Sequence, residues 1–155
     1  MNGIPALTIE DVAALDAILA EFMHKAEGDL TIVIDRGGNV ISQFGEREAV
    51  DVTIMAALAA GSFAATRELA RRIGEVEFNA LFHQGNGSHI FMNSVDDETI
   101  MIAVFGKRTT VGLVRFYAAQ AAQDLAALLK TLRGKEHVFE FNASDISAGP
   151  VFADH

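Results

Sequence analysis

Few residues in this chain have the types and spacing for chemistry. His83 and His89 flank Gly85-Asn86-Gly87. A hairpin there sets two imidazoles face to face across neighbouring strands, the beginning of a metal site. Asn79 and Asn93 share that predicted face but are poor zinc ligands, and no carboxylate accompanies them. The pair is therefore read as partly exposed sheet histidines, with no metal expected. Asp96-Asp97-Glu98 offers carboxylates for proton transfer, yet three acids between two apolar runs describe a solvated hairpin turn. Arg115 falls in the first turn of a helical segment, where the helix dipole disfavours a cation. A structural ion pair is expected for it, in preference to a role in stabilising transferred charge. Arg67, Arg71 and Arg72 close another helical segment, where cations are favoured. They form either a solvated face or the rim of a partner-binding surface. No serine or histidine has the local context of an activated nucleophile. GxxxxGK[ST] is absent, and Gly37-Gly38 lies between strands rather than before a helix. No catalytic group and no cofactor are expected.

The bulk properties narrow the classes further. At 155 residues the chain amounts to one domain, here residues 1–134, with a tail at 135–155. Half of the residues are hydrophobic, enough for a real core. The 12 Lys+Arg against 21 Asp+Glu leave a formal charge of −9, which argues against nucleic acid as a partner. Without cysteine, disulfides, thiol catalysis and Cys-ligated zinc are excluded. Met1–Glu10 has no basic residue and does not read as a secretory signal. No apolar run reaches the roughly 18 residues of a membrane span, so no membrane span is expected, and the lack of cysteine allows a reducing compartment.

These residues must be positioned by an alternating set of helices and strands. Val12, Leu15, Ile18, Leu19 and Phe22 recur at steps of three and four. They predict a helix from Ile9 to Lys25, capped by Thr8 with Asp11 and ended by Gly28. Leu30–Asp35 and Val40–Phe44 read as a hairpin around Arg36-Gly37-Gly38-Asn39. Asp51 caps a second helix over Val52–Ile73, closed by Gly74. From Val52 to Thr66 this helix has no charged residue on any side. Ile54, Leu58, Ala65 and Leu69 make one apolar stripe; Val52, Ala59, Phe63 and Ala70 make a second. A helix with no polar face is covered on more than one side.

Three strands follow as a meander, at Phe78–Gln84, Ser88–Val95 and Thr99–Phe105. Turns at 85–87 and 96–97 pair residue 82 with 90 and 92 with 101. That register puts Phe78, Ala80, Phe82, Ile90, Met92, Met101, Ala103 and Phe105 on one face. Leu81, Phe91, Ile100, Ile102 and Val104 lie on the other. Both faces are apolar, so both should be covered. Thr109 or Thr110 caps a last helix to Arg133, with a seam of Val111, Val114, Ala118, Ala121, Leu125, Leu128 and Leu132. Gly134 should end it. In the tail, His137–Phe141 reads as a short strand and Asn142–Pro150 as a loop.

Asp35-Arg36-Gly37-Gly38-Asn39-Val40-Ile41, the Gly74 helix end before a strand, and Thr109-Thr110-Val111-Gly112-Leu113-Val114-Arg115 carry a resemblance. In this element order the chain resembles the Roadblock/dynein-light-chain family, in its bacterial MglB-like branch, over roughly Ile9–Arg133. The resemblance implies an α/β sandwich with a profilin-like fold. Its five-stranded antiparallel sheet has the order 2-1-5-4-3. The long helix lies on one face, and the N- and C-terminal helices on the other. It further implies a homodimer joined by paired second helices and third-strand edges. The dimer or partner interface would comprise Met55, Ala56, Ala59, Ala60, Phe63, Ala64, Arg67 and Arg71 on the helix, and Phe78, Ala80 and Phe82 on the strand. The implied work is to bind and reshape a small Ras-like GTPase in cell polarity or motility, without supplying catalytic residues. The rivals are a non-catalytic scaffold dimer and, last, a small-molecule sensor with a pocket between sheet and helix.

Overall fold

Thr8 starts the first helix, α1 (Ile9–Ala26), with a reciprocal capping box. Its hydroxyl accepts from the Asp11 amide at 3.1 Å, and the Asp11 carboxylate accepts from the Thr8 amide at 3.0 Å. The helix ends at Glu27, which adopts the left-handed conformation one residue before the expected Gly28. These features come from a computed structural model that describes residues 6–153, and side-chain surroundings for residues 6–135.

The remaining elements are β1 (Leu30–Asp35), β2 (Val40–Gly45), α2 (Val52–Arg72), β3 (Ala80–Gln84), β4 (His89–Ser94), β5 (Thr99–Phe105) and α3 (Val111–Ala153). The strands form one antiparallel sheet in the order β2-β1-β5-β4-β3. In the β1–β2 turn, the Asp35 carboxylate accepts from the Asn39 amide and side chain. Gly38 has φ +91°, and a Cβ there would lie 2.9 Å from the Ala57 Cα of α2. The hairpin can approach the helix only because that residue is glycine.

Each sheet face carries its own core. On one side α1 and α3 bury Leu15, Leu19, Phe22, Val114, Ala118 and Leu125 against Val33, Phe91, Met101, Ala103 and Phe105. On the other, α2 buries Ala56, Ala59, Ala60 and Phe63 against Ile32, Ile34, Met92, Ile100, Ile102 and Val104. Central β1 and β5 are thus sandwiched, and β5 is buried along its whole length. In α3 the inward residue of the last turns is Leu129 as well as the half-buried Leu128.

Two expectations are corrected. Phe82 pairs with Phe91, and Met92 with Ile102, one residue off the predicted register. The β3–β4 loop spans residues 85–88, and the β4–β5 turn holds Asp96, Asp97 and Glu98 between Val95 and Thr99. A one-residue slip moves a strand's side chains to the opposite face. Ile90 and Met92 therefore join the α2 core, and Phe91 joins Phe82 and Met101 on the α1/α3 side. Phe78 also packs on the α2 side. Secondly, Gly134 does not end α3, and residues 137–150 are helical rather than a strand and a loop. Gly134 keeps a negative φ. Glycine inside a helix costs about 1 kcal/mol relative to alanine, which weakens a helix without stopping it.

Candidate functional site

The second helix is where the sequence points, and its cap and stop are as expected. The Asp51 carboxylate accepts from the Ile54 amide at 3.1 Å. After Arg72, Gly74 turns the chain with φ +90°, and the Glu75 amide reaches back to the Ala70 carbonyl at 2.9 Å.

The two apolar stripes of α2 have different fates. Ala56, Ala59, Ala60 and Phe63 are buried against the chain's own sheet; Ala56 and Phe63 are 0% exposed. Expected at an interface, these four lie against the chain's own sheet. Facing outward are Ile54, 58% exposed, Leu58, 69%, and Leu69, 65%. Gly61, Ala64 and Ala65 complete this bare surface. Ile73 and Val76, beyond the helix end, are exposed as well. Ile54, Leu58 and Leu69 are not among the expected interface residues, although their periodicity is visible in the sequence. The aromatic Phe63 on the other stripe was the available signal for which side faces the sheet.

Met55 is half-buried and lines an open groove of about 610 Å³ between α2 and the sheet, with Ile54, Leu58, His83, Ile90 and Met92. Phe78 is half-buried, its ring centroid 4.9 Å from that of Phe63. Ala80 and Phe82 are brought to the opposite side. Ala80 is exposed and lines a trough against α3, and Phe82 packs near Phe105 in the α1/α3 core. Ala64, Arg67 and Arg71 line a recess of about 120 Å³ with Arg36. Arg36 lies over the Phe63 ring at 5.5 Å. Burial, and then the neighbouring Arg67 cation, pull its guanidinium below the usual arginine range.

The other polar candidates resolve into structural parts. His83 pairs with Ile90 and opens onto the α2 groove, whereas His89 pairs with Gln84. His89 lies between Phe82 and Phe105 at centroid distances of 5.9 and 5.2 Å, and its Nδ1 accepts from the Gly85 amide. The two imidazoles do not face each other, because the longer loop shifts their strands. No group of three potential metal-ligating side chains occurs among the described residues. The acidic turn is a structural joint. Arg36 donates to the carbonyls of Asp96 and Asp97 and to Ser94 Oγ, while Asp96 pairs with Arg133 at 2.7 Å. Burial raises the Asp96 carboxyl, but bonds from Arg133, the Glu98 amide and Thr99 outweigh it and hold the group below the usual carboxylate range. The ion pair expected for Arg115 is not formed among the described residues. Its guanidinium sits 5.7 Å from the Phe91 ring centroid instead.

An antiparallel sheet in the order 2-1-5-4-3, one long helix on one face and two on the other, with a bare face on the single helix, defines an α/β sandwich of Roadblock type. The Roadblock/LC7 domain matches residues 14–105, and the chain belongs to that family. Among solved structures it is similar to MglB of Myxococcus xanthus, at 30% identity and a TM-score of 0.75, over 82% of this chain and 96% of that one. It is also similar to the gliding protein MglB of Thermus thermophilus, at 24% identity and a TM-score of 0.74, over 81% and 96%. A third similar structure is described as MglB with a tetrameric arrangement, at 22% identity and a TM-score of 0.77, over 84% and 97%. No described helix is long and apolar enough to cross a membrane.

Proposed function

We propose that this chain is a homodimer joined along the outer stripe of α2, and that the dimer binds and regulates a small Ras-like GTPase in the cytoplasm. The observation that carries the dimer is the bare stripe with glycine at its midpoint. Gly61 has nothing within 4 Å of where its Cβ would be. Nothing inside the subunit requires glycine there, and glycine in mid-helix costs about 1 kcal/mol relative to alanine. Close approach of a second helix accounts for it. With two α2 helices antiparallel and centred between residues 61 and 62, Ile54 falls opposite Leu69 and Leu58 opposite Ala65. Asp51 then faces the partner's Arg72. Burying a large apolar side chain is worth about 1.5–3 kcal/mol, so the stripe is costly to leave in water.

The regulatory part rests on family membership and on the similarity to MglB of Myxococcus xanthus. The chain itself carries no phosphate-cradling motif. It acts by holding the GTPase in a hydrolysis-ready shape, with the partner's residues doing the chemistry. Arg67 and Arg71 at the rim suit an acidic patch on that partner. Mixing the dimer with a small GTPase encoded beside it tests this. Faster phosphate release supports regulation; binding with unchanged turnover makes the protein a scaffold, and no binding removes the proposal.

A further inference from the structure

The two flanks of α2 differ. One borders the groove that opens onto His83 of β3. The other, turned away from β3, carries the recess of about 120 Å³. Ala60, Ala64 and Ile100 supply its apolar lining, and Arg67 and Arg71 of α2 meet Arg36 of the β1–β2 turn there. At 3.6 residues per turn, Arg67 lies about 120° round the helix from Gly61. The recess is therefore outside both the outer stripe of α2 and the β3 edge.

Three guanidiniums gather at this recess in a chain of charge −9. The helix C-terminus accounts for Arg71, which lies in its last turn. It does not account for Arg67, one turn earlier, or for Arg36. Arg67 is half-buried. The neighbouring Glu68 pairs with Arg71 at 3.7 Å and Arg72 at 3.2 Å instead, and no other described carboxylate is in ion-pair range of Arg67. Arg36 donates through Nε and Nη2 to the carbonyls of Asp97 and Asp96 and to Ser94 Oγ, which leaves Nη1 without an acceptor among the described residues. Burial, and then the Arg67 charge, disfavour the Arg36 cation; Asp97, Asp96 and Glu98 offset this from the far side. An anion between Arg36 and Arg67 removes their repulsion.

We propose that this recess binds a phosphoryl group, as inorganic phosphate or as the phosphate of a small monoester. Its oxygens accept from Arg36 Nη1 and from the guanidiniums of Arg67 and Arg71. A phosphate monoester carries about −1.5 to −2 at neutral pH and three strong acceptor oxygens, which matches three guanidiniums. The single charge of a carboxylate leaves two of them uncompensated. Arginine's planar fork suits the tetrahedral acceptor. Glu68 competes for Arg71, but an exposed pair at that distance holds it weakly. A recess of this size takes the phosphoryl group alone, so the organic part of a monoester stays in solvent. The inference does not rest on the GTPase reading, because all three arginines belong to one subunit.

The test titrates inorganic phosphate into the isotope-labelled full chain at constant ionic strength and neutral pH, following amide and arginine side-chain resonances by NMR. The expected result is a saturable shift confined to the surroundings of Arg36, Arg67 and Arg71. Its midpoint should lie at about 1 mM, the scale of a few charge-assisted hydrogen bonds after the cost of binding. Arg67→Gln should raise the midpoint about tenfold, and Glu68→Gln, which releases Arg71, should lower it. Lys130→Gln removes the same charge from an exposed position on α3 and should leave the midpoint unchanged. If Arg67→Gln does not fold, Arg71→Gln replaces it. Glycerol phosphate then separates the two sources: a tighter midpoint assigns the monoester, an equal or weaker one the free ion. Shifts that never saturate mean an adventitious ion only and overturn the proposal. A midpoint indifferent to Arg67→Gln also overturns it, as does an equal midpoint with acetate, which makes the recess a carboxylate site. Sedimentation of the same samples reports separately on the α2 dimer.

Discussion

Replacing Gly61 by leucine separates the subunit from the dimer, because the two respond in opposite directions. Inside the subunit, a Cβ at position 61 meets no heavy atom within 4 Å. Leucine restores helix propensity at an exposed position, so the isolated subunit should gain about 0.5–1 kcal/mol. In an antiparallel pair centred between residues 61 and 62, each copy drives a leucine into the closest approach of the backbones. Overpacking costs about 1–3 kcal/mol per inserted side chain. Two copies therefore cost about 2–6 kcal/mol, which weakens association about thirtyfold or more at 1.4 kcal/mol per decade. Sedimentation velocity across a concentration series reads the association. Thermal unfolding at a concentration where only monomer remains reads the subunit. A Gly61→Leu protein that melts higher yet dissociates more readily matches the reasoning. An unchanged dimer constant would refute the assignment of α2 to the interface, as would monomeric wild type at micromolar concentration.

The remaining predictions address the core and the acidic turn. Phe63→Ala should destabilise the fold by about 3–5 kcal/mol, as for a fully buried aromatic, whereas Leu58→Ala should leave subunit stability within about 0.5–1 kcal/mol and act on dimerisation; chemical denaturation of dilute samples compares them. Gly38→Ala combines a positive φ with a clash on the Ala57 backbone, so urea titration should show a loss of more than about 1 kcal/mol. Asp96 is held below the usual carboxylate range, so its stabilising share is complete above its unfolded value of about 4 and is lost as pH falls through the lower folded value. Asp96→Asn should therefore cost about 1–2 kcal/mol at neutral pH, and denaturation at stepped pH should show this difference shrinking below about pH 4.

Much of the fold was legible because its local signals agree with one another. Thr8 with Asp11, Asp51, Gly38 and Gly74 each do in the structure what their residue types imply. The charge-free run in α2 was readable as a helix with two apolar stripes, of which the chain's own sheet covers one. The errors fall where the signal is a length rather than a residue type. Adding one residue to each of two turns moved Ile90, Phe91 and Met92 to the opposite faces, and three consecutive large apolar residues penalise neither choice. Gly134 misled for a related reason: a glycine permits a helix stop but does not impose one.

Composition, periodicity and capping residues determined that the chain forms helices and strands in this order, around a sheet apolar on both sides. They act within a few residues, so they survive in the sequence. Tertiary packing decided which α2 stripe meets the sheet, sending Phe63 inward and leaving Leu58 in the open. It also set Arg115 on Phe91 and left Asn93 Oδ1 without a donor among the described residues. Those outcomes depend on the relative placement of segments far apart along the chain, where a single residue of register reverses a strand's faces.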